Sequence, residues 1–284
     1  MPHSDKQDDP SKSTGDRDGS GETGRRPSRT RSGHGRRRIP QRDAPVPPGL
    51  LILDKPSGLT SMTAVAIVRR RVGAKAGHAG TLDPLATGVL VIAVGAATRS
   101  LDAFMRTRKG YRTEIDLSAF TATDDREAEP EPVQVALPPT REQIATMLAE
   151  RFTGEFLQRP PAFSAKKVDG KRAYKTARSG GDPKLEPRPV RVHAIELESY
   201  DWPIATVAIT CDKGFYVRSL ARELGTALGT GGHCASIRRT AVGPFTLDDA
   251  VALDDLPDPL PPERLMPLDV AMTRLAADQA DASD

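Results

Sequence analysis

Apolar residues along this chain come in short runs punctuated by Gly, Pro and charged residues, and the period within each run predicts an element. Gly49-Leu-Leu-Ile-Leu53 is a continuous apolar run of strand length and reads as a buried strand. From Ser61, a residue type that caps helices, Val65, Val68 and Val72 fall on one helical stripe, and Gly73 stands where a C-terminal glycine would end that helix. Gly88-Val-Leu-Val-Ile-Ala-Val94 is a second short apolar run, and Tyr111-Arg-Thr-Glu-Ile-Asp-Leu117 alternates like a strand with one wet face. Thr140 with Gln143 suits a capping box, and Ile144, Met147, Leu148 and Phe152 give the stripe of the helix behind it. Two extended segments, near Val190 to Glu198 and Thr206 to Cys211, precede a strongly amphipathic helix with Val217, Leu220, Ala221, Leu224 and Leu228 on one side.

Strands and helices alternate without regular βαβ order, which predicts an α+β fold whose central sheet is mixed, largely antiparallel and flanked by helices. The folded part starts after the turn-rich Asp43-Ala-Pro-Val-Pro-Pro48. Residues 1–46 read as a disordered tail, because Gly, Ser, Pro and Arg without periodic apolar residues bury too little surface to offset chain entropy. Between Arg25 and Arg42 the tail carries eight arginines and no acid, a polycation that attracts phosphates without reading sequence. An acidic and Pro-rich connection covers roughly residues 118–139, and the chain turns Pro- and Asp-rich past about residue 255. The division is therefore a tail, 1–46, a folded domain, 47–255, and a short extension, 256–284.

Composition narrows the classes. Among the 284 residues, Cys211 and Cys234 form no CxxC or Cys/His spacing that would hold zinc, so no metal is expected and a reducing compartment fits. No run of eighteen apolar residues exists, and the first thirty residues are polar where a signal peptide needs an apolar stretch. The expectation is a cytoplasmic protein without membrane association.

The candidate chemistry lies in Gly77-His-Ala-Gly-Thr-Leu-Asp-Pro-Leu-Ala-Thr-Gly88, a loop whose glycines let backbone approach a ligand and which holds one carboxylate, Asp83. On residue chemistry alone, an Asp before Pro more often bonds nearby amides in a turn. However, the whole string resembles the catalytic motif of TruB-type pseudouridine synthases, and four further segments follow in that family's order. Leu53-Asp-Lys-Pro56 with Gly58 and Ser61 is similar to the opening motif, and Lys109-Gly-Tyr-Arg112 to the segment that supplies an active-site tyrosine. Pro161 to Tyr174 and Lys213-Gly-Phe-Tyr-Val-Arg-Ser219 resemble later motifs, so the likeness spans about residues 49–250.

The resemblance implies a pseudouridine synthase fold and isomerisation of uridine 55 in the T loop of tRNA, without a cofactor. It puts the nucleophile at Asp83, a ring that stacks on the base at Tyr111 and a charge partner for Asp83 at Arg218. Tyr216 and Ile237 would line the pocket, His78 would help displace the target nucleotide, and Lys55 joins the substrate-binding set as a support of the loop. Arg218 is independently odd, since it starts a helix where the dipole disfavours positive charge, and a facing carboxylate would explain it. The partner implied is the T arm of tRNA, engaged by a monomer.

Two segments depart from the family pattern, Ser118 to Asp125 and Lys166, and neither is expected to touch the chemistry. The residues after Ala250 are too few for the RNA-binding PUA domain that many relatives append. Two other readings are a tRNA-folding chaperone without essential catalysis and a nucleoside or glycoside hydrolase. The hydrolase would normally use two carboxylates about a sugar, where this loop offers one.

Overall fold

A computed structural model describes residues 45–164, 167–168, 171–173, 176, 179–181 and 183–281. Residues 1–44 of the tail and Lys166 thus lie outside the described residues. The strands that carry the fold are β1 (Gly49–Lys55), β2 (Ala76–His78), β3 (Thr87–Val94), β4 (Lys109–Asp116), β5 (Gly154–Gln158), β6 (Arg188–Asp201), β7 (Ile204–Cys211) and β8 (His233–Val242). The helices are α1 (Ser61–Val72), α2 (Leu101–Met105), α3 (Arg141–Arg151), α4 (Val217–Leu228) and α5 (Leu268–Asp281).

One sheet runs in the order Val251–Ala252, β1, β3, β8, β4, β7, β6, β5. Neighbours along it pair antiparallel, except β3 with β8 and β1 with Val251–Ala252. This is the mixed, largely antiparallel α+β architecture that the sequence pattern predicts.

Side-chain alternation explains why two strands are apolar throughout. Leu90, Ile92 and Val94 of β3 enter the larger core with Val65 and Val68 of α1, Ile144 and Leu148 of α3, and Leu220 and Leu224 of α4. Val89, Val91 and Ala93 enter a second core with Phe104, Phe245, Ala271 and Leu275. β1 divides likewise, so both strands are covered on both faces and need apolar residues at every position. β4 keeps one wet face, with Thr113 and Ile115 buried and Arg112 exposed between polar neighbours.

The structure departs from the sequence reading at three further points. The N-cap of α1 is Thr60, whose hydroxyl accepts from the Thr63 N–H at 3.0 Å, and Ser61 is buried and bonded elsewhere. β8 lies in the middle of the sheet although His233-Cys-Ala-Ser-Ile-Arg-Arg-Thr-Ala-Val242 neither alternates nor forms an apolar run. Past residue 255 the chain adds Met266–Pro267 to β1 and then forms α5, whose Ala271 and Leu275 cover the second core. Gly73 in the left-handed region at φ 70° and the Thr140/Gln143 capping box agree. The extended segment expected from Val190 to Glu198 instead runs from Arg188 to Asp201, and the connection over 118–139 pairs Ala119–Thr121 with Pro130–Pro132.

Candidate active site

The Gly-rich loop between β2 and β3 is held by the segment that leads into α1. Lys55 is fully buried, and its amine donates to the carbonyls of Pro56 at 2.8 Å, Leu59 at 2.7 Å and Pro84 at 3.3 Å. The Gly58 N–H donates to Pro84 O at 2.8 Å, and the Ser57 hydroxyl to Leu85 O at 3.1 Å. Ser61 exchanges two bonds with Leu82: its hydroxyl donates to Leu82 O at 2.9 Å and accepts from Leu82 N at 2.8 Å. A loop outside the sheet ladder must find partners for its backbone groups, and these side chains supply them on either side of Asp83. The Lys55 amine is occupied by this task and does not line the cleft. Burial is the main cause that pushes it down to about 8.

Asp83 opens toward solvent, its side chain 40% exposed, while the Arg218 side chain paired to it is only 6% exposed. The guanidinium Nη2 lies 2.9 Å from Asp83 Oδ2 and also donates to Phe163 O at 3.1 Å. Nη1 donates to Thr123 O at 2.9 Å and lies 3.4 Å from Oδ2 of Asp125, a carboxylate 1% exposed. Two carboxylates therefore face the cation at the start of α4, which offsets the unfavourable dipole. One turn on, Arg222 pairs with Asp124, a non-glycine residue at φ 59°. Asp124, Asp125 and Arg222 are absent from the sequence-based site. Their signal was an adjacent acidic pair set against two arginines four apart on one helix face.

A cleft of about 900 Å³, of the size that small-molecule sites occupy, opens beside Asp83. Tyr111, Tyr216, Ile237 and Arg218 line it with Asp83, so the structure brings together five of the seven sequence-predicted residues. Tyr216 is fixed by a reciprocal pair with Gln158: its N–H donates to Oε1 at 2.9 Å and its carbonyl accepts from Nε2 at 3.1 Å. Burial pushes both phenols up, with the Asp83 charge second for Tyr216. His78 sits on β2, half-buried and outside the cleft lining, with Nδ1 unpartnered among the described residues. Burial first, and Arg239 second, hold its imidazole below the usual 6.5.

Arg239, on β8, was also missed. It is 1% exposed, yet it lines the cleft floor and donates from Nε to Val89 O at 2.8 Å and from Nη2 to Gly80 O at 3.1 Å. Gly88, last of the motif glycines, has φ +98°, and a Cβ there would lie 2.2 Å from the carbonyl oxygen of Arg239. Only glycine lets β3 start so close to β8.

Comparison with known proteins gives the family. The family model for the TruB family pseudouridylate synthase N-terminal domain matches residues 68–217, and that for the tRNA pseudouridylate synthase B C-terminal domain matches residues 218–272. The chain belongs to the TruB family. Among its TruB relatives, tRNA pseudouridine synthase B of Corynebacterium glutamicum is 43% identical over 240 residues, covering 82% of this chain and 79% of the relative. That of Corynebacterium diphtheriae is 42% identical over 255 residues, covering 85% and 84%. A solved Cbf5-Nop10-Gar1 complex contains a chain 29% identical at a TM-score of 0.61, covering 80% of this chain and 62% of that one.

This TruB-family enzyme is thus a tRNA pseudouridine synthase, an isomerase. One expectation about its departures is overturned. The segment from Ser118 to Asp125 does touch the site, because Asp125 faces Arg218 and Asp124 faces Arg222. Its weaker motif likeness concealed two carboxylates that fold back onto α4. Among the described residues no group of three side chains is placed to hold a metal, and no helix is long and apolar enough to cross a membrane.

Proposed function

We propose that this enzyme converts uridine 55 in the T loop of tRNAs to pseudouridine, with Asp83 as the nucleophile. The N1–C1′ bond breaks, the base turns and C5 joins C1′; C5 loses a proton and N1 gains one, so no outside reactant is consumed. An ionised carboxylate is a sufficient reagent, by attack at C6 of the base or by assisting its departure from C1′. The observation that carries the reading is the Arg218 to Asp83 ion pair at 2.9 Å at the edge of the cleft. A buried guanidinium held by two backbone carbonyls aims the carboxylate that faces it.

The target base lies within folded RNA and must leave its stack to be reached. Tyr111 and Tyr216 offer aromatic surface for it, Ile237 an apolar wall, and His78 lies on the strand leading into the loop. A related solved structure, 27% identical at a TM-score of 0.58, is an H/ACA RNP bound to a substrate RNA, which supports RNA as the ligand of this fold. The test is a product assay on an unmodified tRNA transcript. Pseudouridine at position 55 without released uracil is expected. Released uracil would indicate a hydrolase, and tRNA binding without either product a chaperone.

A further inference from the structure

We infer that Arg239 is a positioning residue that ties the Asp83 loop to Tyr111, and so sets the nucleophile and the aromatic face in register. This rests on the proposed roles of Asp83 and Tyr111. Among the described residues Arg239 is the largest fully buried side chain, and no carboxylate pairs with it. Its neighbour Arg238 shows the ordinary alternative, a bidentate pair with Asp54 at 2.7 and 3.3 Å.

A buried guanidinium without a counter-charge is a poor way to stabilise a sheet, since apolar residues of similar volume usually do as well or better. What Arg239 has instead is two neutral acceptors, Val89 O on β3 and Gly80 O in the loop three residues before Asp83, while its backbone is the register partner of Tyr111 on β4. A planar fork with five N–H groups can meet acceptors in several directions at once, which an ammonium on a flexible stem cannot hold in one geometry.

The motif glycines fit this arrangement. Gly88 allows the backbone of Arg239 to lie against β3, and Gly80, in the left-handed region at φ +96°, presents its carbonyl to the guanidinium. Arg239 thus holds the loop at Gly80, while Ser61 and Lys55 hold it at Leu82 and Pro84. The charge of Arg239 also reaches His78, Lys55 and Lys109, holding each of these cations down in addition to burial.

The experiment is a double-mutant cycle of Arg239→Lys and Ser61→Ala, read by single-turnover pseudouridine formation, tRNA dissociation constant and melting temperature. Arg239→Lys should lose roughly tenfold to a hundredfold in rate, as expected for a displaced reacting group, with tRNA affinity changed by less than about threefold. If Arg239 acts through the position of the loop, the two losses should not multiply, because Ser61→Ala has already freed the loop. A folded Arg239→Lys with wild-type rate, or losses that multiply fully, overturns the inference. Should Arg239→Lys melt below the assay temperature, Arg239→Gln, which keeps N–H donors without a buried charge, decides. It must lose at least about tenfold in rate, and a wild-type rate in it overturns the inference. Absence of pseudouridine with the wild-type enzyme would instead sink the functional reading itself, so the two failures are distinguishable.

Discussion

Arg218 holds Asp83 at 2.9 Å and Asp125 at 3.4 Å from a single guanidinium, and its two remaining bonds go to the carbonyls of Thr123 and Phe163. The cation is thus fixed by the fold before any RNA arrives. Asp83 takes its aim from a group anchored on two other segments, at Thr123 with Asp125 and at Phe163.

Arg218→Lys tests that anchoring. Lysine keeps the charge but loses the planar fork, so Asp83 stays paired yet misaimed. A displacement of about 1 Å can cost roughly a hundredfold in rate, while the many phosphate contacts of tRNA survive. Single-turnover rates and tRNA dissociation constants should show a large loss in the first and little change in the second. Loss of affinity alone would make Arg218 a phosphate contact.

Thr60 and Ser61 are neighbours with separable tasks. Thr60→Ala removes the N-cap of α1 and should cost about 1 kcal/mol of stability with the rate unchanged. Ser61→Ala leaves the Leu82 N–H and carbonyl without their buried partner, at about 1–3 kcal/mol, and frees the loop next to Asp83, so the rate should fall too. Denaturant melts with single-turnover rates separate them. A rate loss confined to Thr60→Ala would reverse the assignment.

Two buried lysines predict the alkaline limb of the stability curve. Burial pushes Lys55 and Lys109 down to about 8 from the ordinary 10.5. Between those values the unfolded chain binds more protons than the folded one, so stability rises with pH. The buried thiols of Cys211 and Cys234, pushed up to about 12 from 9.0, act oppositely once unfolded thiols begin to ionise near 9. Urea midpoints should rise from pH 8 to 9, flatten, and fall beyond about 10.5. A fall between pH 8 and 9 would contradict the lysine contribution.

Residues 1–46 are proposed to add phosphate contacts without shaping the cleft. Their deletion should leave single-turnover chemistry intact, weaken tRNA binding and flatten the slope of log affinity against log salt. An unchanged slope would make the eight arginines between Arg25 and Arg42 spectators.

What could be read from sequence was whatever carried a period or a motif. The stripe from Val217 to Leu228 located α4, and the motif strings located Asp83, Tyr111, Tyr216 and Arg218. β8 was hidden because it carries Arg238 and Arg239 where a buried strand should be apolar, and their partners, Asp54, Gly80 and Val89, are over 140 residues away in the chain. Asp124 and Asp125 were hidden because their partners sit on a helix about 95 residues later. Ser61 looked like a cap because cap chemistry is local, whereas its bond to Leu82 spans 21 residues. Pairings between distant segments leave no period to read.

The central claim is that the Asp83 carboxylate is the reagent. The measurement is pseudouridine formation at position 55 by Asp83→Asn under single-turnover conditions, with the tRNA dissociation constant measured alongside. The amide keeps the shape of the side chain and removes the anion, so turnover should vanish while tRNA still binds within about threefold of wild type. Turnover above about a tenth of the wild-type rate would contradict the assignment of Asp83 as nucleophile.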